Sequence, residues 1–363
     1  MIGVFPYRLQ LIDPFGIARG TQSAKQVFLL NIDGGWGEAS PTIYNGESDK
    51  ATQAALEAMD GVLAQMPDLD FIEDAEAAVH RAIVERCGHL SKAPAGAPVL
   101  PSVRAAINIA LHDRFARRLG VPLHTLFGTA PNGRYLTSFT IGIDSTETML
   151  RKVDDARSYE ILKVKLGRDL EHDLEVMRQI RRAAHGRILR VDANGGWTLD
   201  EARRALPVLA DLGVEFLEQP LKKGAIEELR ELRKESPLPI YVDEDSLEAA
   251  NLPPLAGAAD GINIKLMKSG GLSEARRMVA VARTLGFRIM LGCMIETSVG
   301  ITAAAHLAPL VDDLDLDGNI LSGNDPFDGV KCSPSGELSL PSSPGLGVSV
   351  KPEFASEFPL PAL

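Results

Sequence analysis

The stretch from residue 161 to residue 244 contains four short apolar segments, and a charged residue stands at or beside the end of each. The segments read ILKVKL (161–166), ILRVD (188–192), VEFLE (214–218) and IYVDE (240–244). They recur about every 25 residues, and the sequence between them has the spacing of amphipathic helices. A strand, a helix and a further strand in repeated order predict parallel strands that are joined by crossover helices.

The same repeat extends in both directions along the chain. The β-rich segments are Leu136–Ile143, Ile161–Leu166, Ile188–Val191, Val214–Leu217, Ile240–Val242, Ile262–Leu266, Arg288–Leu291 and Leu314–Leu316. Eight such units match an α/β fold of the (β/α)₈-type, a TIM barrel. A doubly wound open sheet is the main alternative, but it would usually carry a glycine-rich phosphate loop after its first strand, and none is present. We expect a bend at Pro207, which lies inside a predicted helix that starts with a capping box at Thr198 and Glu201.

The first part of the chain has a different pattern of predicted secondary structure. Residues 1–45 indicate strands, and the segment Gln26–Asp33 is predicted to end at a hairpin turn, Gly34-Gly35. Three helices and a Pro/Ala-rich loop are then expected, the helices over Glu47–Met66, Glu73–Cys87 and Val103–Leu119 and the loop over Ala93–Ser102. The pattern predicts an α+β unit in front of the barrel.

Composition limits the classes of partner. The chain has 363 residues, with 38 lysines and arginines against 49 aspartates and glutamates and a net charge of -11, which argues against general binding to nucleic acid or to an anionic membrane. No run approaches the roughly 18 apolar residues that span a bilayer, and the N-terminus lacks a signal-peptide pattern. Three scattered cysteines, Cys87, Cys293 and Cys332, fit a reducing compartment. We therefore expect a cytoplasmic protein.

Three acidic residues close consecutive predicted strands. Asp192, Glu218 and Asp243 follow apolar segments, and the carboxyl ends of barrel strands face one another across the mouth of the barrel. Three carboxylates that converge without partners would repel one another and raise their pKa values. A divalent cation removes that repulsion, and an all-oxygen ligand set suits Mg²⁺ or Mn²⁺ better than zinc.

Lysines stand on the second and sixth predicted strands, across the barrel from each other. Lys163 and Lys165 alternate on one strand, so both are expected to point into the mouth. Lys265 directly follows a β-rich segment, whereas Lys268 is expected in the loop before Gly270-Gly271 and is not favoured. A metal ion and a neighbouring cation would lower the pKa of a lysine and make it a usable base. Two bases on opposite sides of one carbon can racemise or epimerise it.

These residues lie in motifs that resemble the enolase superfamily, in its muconate-lactonizing-enzyme subgroup. The motifs are KVK, VDANGGW, LEQP, VDED, IKLMKSGG and GCMIETSVG, with PFGIARGT and GWGEASP in the N-terminal part. The resemblance implies an α+β capping domain at 1–125, a catalytic barrel at 126–339 and a tail at 340–363 that returns to the capping domain.

The resemblance also implies a role for each residue of the predicted site. Asp192, Glu218 and Asp243 would bind Mg²⁺, and Lys165 and Lys265 would be the acid/base pair. Lys163 would help to hold the substrate carboxylate. A lysine base beside an Mg²⁺-stabilised ene-diolate is a known property of this superfamily rather than a consequence of the spacing seen here.

Asp315 and Asp317 indicate the branch of the superfamily. Two carboxylates that alternate on one strand can clamp an ammonium group, and the sequence around them resembles the dipeptide epimerases, of the L-Ala-D/L-Glu type. An o-succinylbenzoate synthase, a muconate-type cycloisomerase or an N-acylamino acid racemase would use the same lysines and metal but has no ammonium to bind. A non-catalytic dipeptide-binding protein would need no second lysine.

Side-chain specificity is expected to come from the capping domain, since the barrel supplies the chemistry. Arg19 or Lys25 would pair with an acidic substrate side chain, or else Ile17, Tyr44 and Met294 would line an apolar pocket; the sequence leaves both possibilities open. We also expect Cys293 and Glu296 to contact the substrate. A homo-oligomer is possible, but nothing in the sequence specifies a number of subunits.

Overall fold

The computed structural model describes residues 2–66, 68–93 and 97–359, and it begins with a three-stranded antiparallel sheet. The sheet has the order β1 (Ile2–Ile17), β2 (Gly20–Ile32) and β3 (Gly35–Ala39). The second half of β2 is buried on both faces, because Val27 and Leu29 pack towards the barrel while Phe28 and Leu30 pack towards the helices of the N-terminal part. The turn after β2 contains Gly34 at φ 88°, in the left-handed region.

Three helices follow this sheet: α1 (Asp49–Leu63), α2 (Ile72–Ala82) and α3 (Pro101–Leu119). α3 starts two residues before the prediction, because Pro101 has the fixed φ that suits the first turn of a helix. It packs closely on β3, where a side chain at Gly37 would collide with the carbonyl oxygen of Ala106. The predicted loop at 93–102 includes residues 94–96, which lie outside the described residues.

The central sheet consists of eight parallel strands in sequential order. Its members are β4 (Phe139–Ile141), β5 (Ile161–Lys165), β6 (Ile188–Asp192), β7 (Val214–Glu218), β8 (Ile240–Val242), β9 (Gly261–Lys265), β10 (Arg288–Gly292) and β11 (Asp313–Asp315). A parallel bridge from Thr137 to Leu314 joins the first strand to the last. The predicted barrel is therefore confirmed, and the doubly wound open sheet is excluded.

Helices α4 to α11 alternate with the barrel strands or flank them. They are α4 (Leu123–Leu126), α5 (Thr146–Asp155), α6 (Leu170–Ala183), α7 (Leu199–Asp211), α8 (Ile226–Glu235), α9 (Leu266–Ser269), α10 (Leu272–Thr284) and α11 (Ser298–Ala305). α7 begins with a capping box between Thr198 and Glu201, and it is one helix across Pro207.

Alternate residues of the barrel strands point into the barrel and form layers. Below the carboxyl ends of the strands, Arg190 donates to Asp313 at 2.8 Å, and the hydroxyl of Tyr241 donates to the same carboxylate at 2.9 Å. This lower layer is filled and paired, and the cavity lined by Lys165, Lys265 and Asp315 lies at the carboxyl ends of the strands.

The chain beyond the barrel returns towards the N-terminal sheet. Two short antiparallel pairs join β12 (Phe327–Asp328) to β15 (Ser349–Val350) and β13 (Lys331–Cys332) to β14 (Leu338–Ser339). Phe358 then packs against Phe5 of β1, with 5.6 Å between the ring centroids. Within the described residues, no helix is long and apolar enough to cross a membrane.

Candidate active site at the carboxyl ends of the barrel strands

Three buried carboxylates meet at the mouth of the barrel. Asp192 and Glu218 end β6 and β7, Asp243 follows β8, and one oxygen of each lies within 4.8 Å of the others. Burial and then the charge of Asp192 raise the pKa of Glu218 to about 7. Its Oε2 makes no hydrogen bond, although Lys163 Nζ lies 2.5 Å away. Three convergent buried carboxylates, with one Glu218 oxygen that forms an ion pair but no hydrogen bond, fit a hard divalent cation.

The residues that orient these carboxylates were not singled out from the sequence. Asn194 donates its backbone N–H to Asp192 at 2.8 Å, and Asn263 donates its side-chain amide to Glu218 at 2.7 Å. Gln219 accepts at 2.8 Å from the backbone N–H of Asp243. Asn194 and Gln219 adopt positive φ values of 46° and 38°, so the chain turns sharply after each acidic strand end. An Asn or Gln shortly after the acidic residue at a strand end is the sequence signal that could have identified Asn194 and Gln219.

Lys163 and Lys165 both point into the barrel mouth. The Lys163 ammonium lies 2.5 Å from Glu218 and 2.6 Å from Asp315, and it is fully buried. Burial lowers its pKa, but these two carboxylates and Asp192 raise it further, so the pKa of Lys163 lies well above its ordinary value. Lys165 lies 2.5 Å from Asp192 and lines the cavity.

Lys265 lines the same cavity, and its Nζ lies 2.8 Å from Asp243. Burial lowers the pKa of Lys265, but the Asp243 carboxylate raises it above the ordinary value. In the protein alone the pairing with Asp243 therefore raises the pKa of Lys265, and the lowering expected from a bound metal ion and a neighbouring cation stays a prediction.

Lys268 lies in the short helix α9 rather than in the expected loop. It is buried, and its Nζ donates to Asp243 Oδ1 and to the carbonyl oxygen of Asn263, each at 2.5 Å. Lys268 is absent from the lining of the cavity that Lys165 and Lys265 share.

The barrel places Lys165 and Lys265 on opposite sides of the cavity. They end β5 and β9, which are four strands apart in an eight-stranded barrel. The strands that carry the carboxylates lie between them. A small molecule held at the carboxylates therefore has one lysine on either side.

The cavity has a volume of about 380 Å³ and lies between the barrel and the N-terminal part. Its lining includes these predicted residues: Ile17, Arg19, Lys25, Tyr44, Lys165, Asp243, Lys265, Cys293, Met294, Asp315 and Asp317. Charged side chains and apolar side chains thus line the same cavity. The two specificity hypotheses, a cationic partner and an apolar pocket, therefore refer to the same surface. Glu296 is not part of this lining.

The position of Glu296 differs from the sequence expectation that this residue contacts the substrate. It is 1% exposed and accepts a hydrogen bond from the backbone N–H of Met294 at 2.7 Å. Burial raises its pKa to about 8, and the nearby Glu38 raises it as well. Glu38 accepts from the N–H groups of Thr297 and Gly300 at the start of α11. Glu296 therefore belongs to a buried contact between β3 and the barrel, beneath the cavity wall.

Asp315 and Asp317 lie in the cavity wall, although only Asp315 is within β11. Asp315 accepts from Ser138 at 2.5 Å and from Lys163 at 2.6 Å. Burial raises its pKa, but Lys163 lowers it further, so Asp315 stays ionised. Asp317 accepts from the N–H of Thr140 at 2.7 Å, and burial and then Asp315 raise its pKa to about 7.

Arg19 crosses from the N-terminal part to the barrel. Its guanidinium forms an ion pair with Glu244 and donates to the carbonyl oxygen of Asn194 at 2.9 Å. It also stacks over the Tyr44 ring at 5.0 Å from the centroid. Glu244 was noted in the sequence as a strand-end acid but was not assigned to the site. The contact occupies Arg19, which was expected to be available for an acidic substrate.

The fold and the site together define a (β/α)₈-barrel enzyme whose cavity is covered by an N-terminal capping unit. Residues 2–128 match the family model for the "Mandelate racemase / muconate lactonizing enzyme, N-terminal domain". Residues 146–354 match the family model for "Enolase C-terminal domain-like" proteins. The chain therefore belongs to the enolase superfamily, in its mandelate racemase and muconate lactonizing enzyme group, as the sequence motifs predict.

Individual relatives agree with this assignment. The chain is 37% identical over 352 residues to the L-Ala-D/L-Glu epimerase of Bacteroides thetaiotaomicron, a match that covers 95% of this chain and 86% of that protein. It is 36% identical to the hydrophobic dipeptide epimerase of Roseobacter litoralis, over 90% of each. The solved structure of a dipeptide epimerase from Enterococcus faecalis, complexed with Mg and L-Leu-L-Tyr, has a TM-score of 0.86 at 31% identity and covers 96% of this chain and 98% of that one.

Proposed function

We propose that this protein is an Mg²⁺-dependent dipeptide epimerase, an isomerase that inverts the α-carbon of the C-terminal residue of a dipeptide. One observation carries the proposal. Lys165 and Lys265 face the same cavity from strands on opposite sides of the barrel, with a buried carboxylate triad between them. The named relatives above support the same reaction.

In this proposal Asp192, Glu218 and Asp243 hold the Mg²⁺ ion, or Mn²⁺ in its place. When bound, the ion stabilises the negative charge that develops on the substrate carboxylate as the α-proton leaves. Lys163 is fully buried and cationic beside Glu218 and Asp315, so it supplies a fixed positive charge at the same end of the cavity. The α-carboxylate of the substrate therefore lies on the floor of the site.

The two cavity lysines exchange the proton. One of Lys165 and Lys265 removes the α-proton from its side as a neutral amine, and the other donates a proton from the opposite side as an ammonium. In the protein alone Lys165 pairs with Asp192 and Lys265 pairs with Asp243, and the second of these pairs raises the pKa of Lys265. Drawing the charge of Asp192 and Asp243 towards a cation would weaken these pairs and favour the neutral amine.

Asp315 and Asp317 hold the free amino group of the dipeptide. Both line the cavity, and an ammonium beside two carboxylates is a strong charge-assisted pair. A cycloisomerase, an o-succinylbenzoate synthase or an N-acylamino acid racemase leaves this pair without a role, and a dipeptide-binding protein leaves the second lysine without one. The three enzyme alternatives predict turnover that is insensitive to Asp317→Asn. The dipeptide-binding protein predicts binding without α-proton exchange.

The test of the function is solvent exchange at the α-carbon. A library of L,L-dipeptides is incubated with the Mg²⁺-loaded protein in D₂O, and the mass shift is followed before and after chelation. The proposal predicts gain of one deuterium with formation of the L,D epimer, and loss of both on chelation. Binding without exchange would support the non-catalytic alternative.

The domain boundaries, the cellular compartment and the partners form part of the same proposal. We assign the capping domain to residues 1–125, the catalytic barrel to 126–339 and the tail to 340–363, of which residues 360–363 lie outside the described part of the chain. Free thiols at Cys87, Cys293 and Cys332 support a reducing compartment such as the cytoplasm. The acidic net charge of -11 disfavours nucleic acid as a partner. Assembly into a homo-oligomer is open to measurement by light scattering.

A further inference from the structure

The loops that follow β5 and β6 lie against each other directly beyond Lys165 and Asp192. Lys165 is paired with Asp192 in the parallel ladder, and the N–H of Leu166 donates to the carbonyl oxygen of Asp192 at 2.9 Å. Gly167 follows with a φ of 103°, and a side chain there would collide with the carbonyl oxygen of Ala193. The backbone just after Lys165 therefore has little room to shift.

One buried carboxylate, that of Asp173 on α6, binds both loops. Its Oδ2 accepts from the backbone N–H of Gly167 at 2.8 Å and from the indole N–H of Trp197 at 3.2 Å. Asp173 is 3% exposed. Burial raises its pKa, and the hydrogen bonds from Gly167 and then Trp197 lower it. Because a buried carboxylate is costly without such donors, the two loops and Asp173 stabilise one another.

The packing of α6 on the barrel is supplied by other residues. Leu174, Met177 and Ile180 belong to its buried apolar face, and Asp173 is the one polar residue among the buried residues of this helix. Asp169 caps the first turn, since its Oδ1 accepts from the N–H of His172 at 2.9 Å. The hydrogen bonds of Asp173 therefore act on the two loops rather than on the helix that carries it.

We propose that Asp173 is a positioning residue for Lys165: by holding the N–H of Gly167, it fixes the end of β5 and with it the direction in which the Lys165 amine enters the cavity. The inference rests on the proposed function. Asp173 is absent from the lining of the cavity, so it acts through the backbone.

The effect of Asp173 is confined to one side of the reacting carbon. Lys265 leaves the barrel from β9, four strands away from β5, and neither loop that Asp173 holds belongs to that side. Loss of the carboxylate leaves the buried N–H of Gly167 without its acceptor, and the turn after Lys165 then relaxes. Proton transfer by Lys165 should suffer, whereas proton transfer by Lys265 should not.

The experiment measures α-proton exchange in D₂O, with the full-length Mg²⁺-loaded enzyme, for the best substrate of the L,L-dipeptide library and for its L,D epimer. With the epimer that Lys165→Gln no longer exchanges, Asp173→Ala should lower kcat by about tenfold, and with the other epimer by less than about threefold. Asp173→Asn keeps an acceptor oxygen in the same place and should restore most of the exchange. Glu175→Ala, which removes an exposed carboxylate of the same helix, is the matched control.

Amide hydrogen exchange of the metal-free protein, followed by mass spectrometry, gives a readout that needs no turnover. The peptide that contains Gly167 should exchange faster in Asp173→Ala than in the wild type, and Asp173→Asn should retain the protection. Trp197→Phe removes only the indole donor, so it should leave the Gly167 peptide protected and the exchange of both epimers nearly unchanged. Should Asp173→Ala fail to fold, Asp173→Ser, which keeps a shorter polar side chain, takes its place.

Three outcomes overturn the inference: unchanged exchange in Asp173→Ala, an equal loss with both epimers, or the same one-sided loss in Trp197→Phe. The second would show that Asp173 only supports the fold, and the third would place the effect in the loop after β6. α-Exchange by the wild type with no dipeptide at all would instead contradict the epimerase assignment. Protection of the Gly167 peptide would then still decide whether Asp173 holds the end of β5.

Discussion

The ammonium group of Lys268 lies 2.5 Å from Oδ1 of Asp243 and also donates to the carbonyl oxygen of Asp243 at 2.5 Å. Lys265 lies 2.8 Å from the other carboxylate oxygen, Oδ2. Asp243 is thus contacted by Lys268, which does not line the cavity, and by Lys265, which does. The two lysines have different tasks, because only Lys265 lines the cavity.

Replacement of Lys268 tests this division. Lys268→Met removes the contact that orients Asp243, so we expect Mg²⁺ affinity to fall by about 10–100-fold, with a loss of stability of about 3–5 kcal/mol from the broken buried pair. Calorimetric titration of Mg²⁺ and a denaturant series measure the two effects. Lys234→Met, at an exposed position on α8, is the control. An unchanged Mg²⁺ affinity in Lys268→Met would show that Asp243 does not need this contact.

The buried pair of Glu38 and Glu296 predicts a pH-dependent stability. Burial raises their pKa values from 4.5 to about 7 and about 8, so between pH 4.5 and 8 the folded state binds more protons than the unfolded state. The free energy of unfolding must therefore fall as pH rises through this window. Their contribution is complete below about pH 4.5 and is lost above about pH 8.

Glu296→Gln isolates this effect. We expect the variant to flatten the pH dependence of the free energy of unfolding between pH 5 and pH 8 by on the order of a few kcal/mol, measured by urea titration. Glu228→Gln, on the exposed face of α8, serves as the matched control and should retain the slope of the wild-type protein. Equal slopes in the Glu296 variant and the wild type would contradict the raised pKa of Glu296 as a source of this pH dependence.

Asp317 predicts how the enzyme distinguishes free from acylated amino groups. The wild type should exchange L,L-dipeptides but not their N-acetyl derivatives, and Asp317→Asn should raise KM for the free dipeptides by about tenfold or more. Because its pKa is raised to about 7, KM should also rise as pH falls below 7. Initial rates from pH 6 to pH 8.5, with free and N-acetylated dipeptides, measure the substrate discrimination and the pH dependence of KM. Turnover of N-acetyl substrates would instead favour the N-acylamino acid racemase.

Metal binding should stabilise the fold through the same triad. Saturating Mg²⁺ at a hundred times its Kd adds about 2.7 kcal/mol to the free energy of unfolding, which calorimetry registers as a higher Tm. Glu218→Gln removes one charged ligand and should abolish most of this shift. Asp211→Asn, at an exposed position, leaves the triad intact and should keep it. A Tm that is insensitive to Mg²⁺ in the wild type would argue against the triad as the metal site.

Local patterns in the sequence were enough for most of the fold. The β-rich segment at 161–166 agrees with β5 at Ile161–Lys165, because a buried parallel strand is a continuous apolar run. The alternation of Lys163 and Lys165 correctly predicts that both point inward. The first helix turn of α3 was missed because Pro101 was taken as part of a loop.

The errors concern long-range contacts, which no local pattern contains. Glu296 was expected in the pocket, but it is buried against β3 because Glu38 and Gly300 lie beside it. Arg19 was one of two cationic candidates for an acidic substrate side chain, and its ion pair with Glu244, 225 residues away in the chain, is not readable from a local pattern. The sequence also does not show that Lys165 pairs with Asp192 at 2.5 Å and Lys265 with Asp243 at 2.8 Å.

The most direct measurement of the central claim follows α-proton exchange, epimer by epimer, in Lys165→Gln and Lys265→Gln with Mg²⁺ in D₂O. With one lysine on each side of the reacting carbon, each variant should keep exchange with only one epimer, the opposite one in each case, and lose epimerisation by about 10²–10⁴-fold. Loss of exchange with the same epimer in both variants, or epimerisation at the wild-type rate in either, would contradict the account.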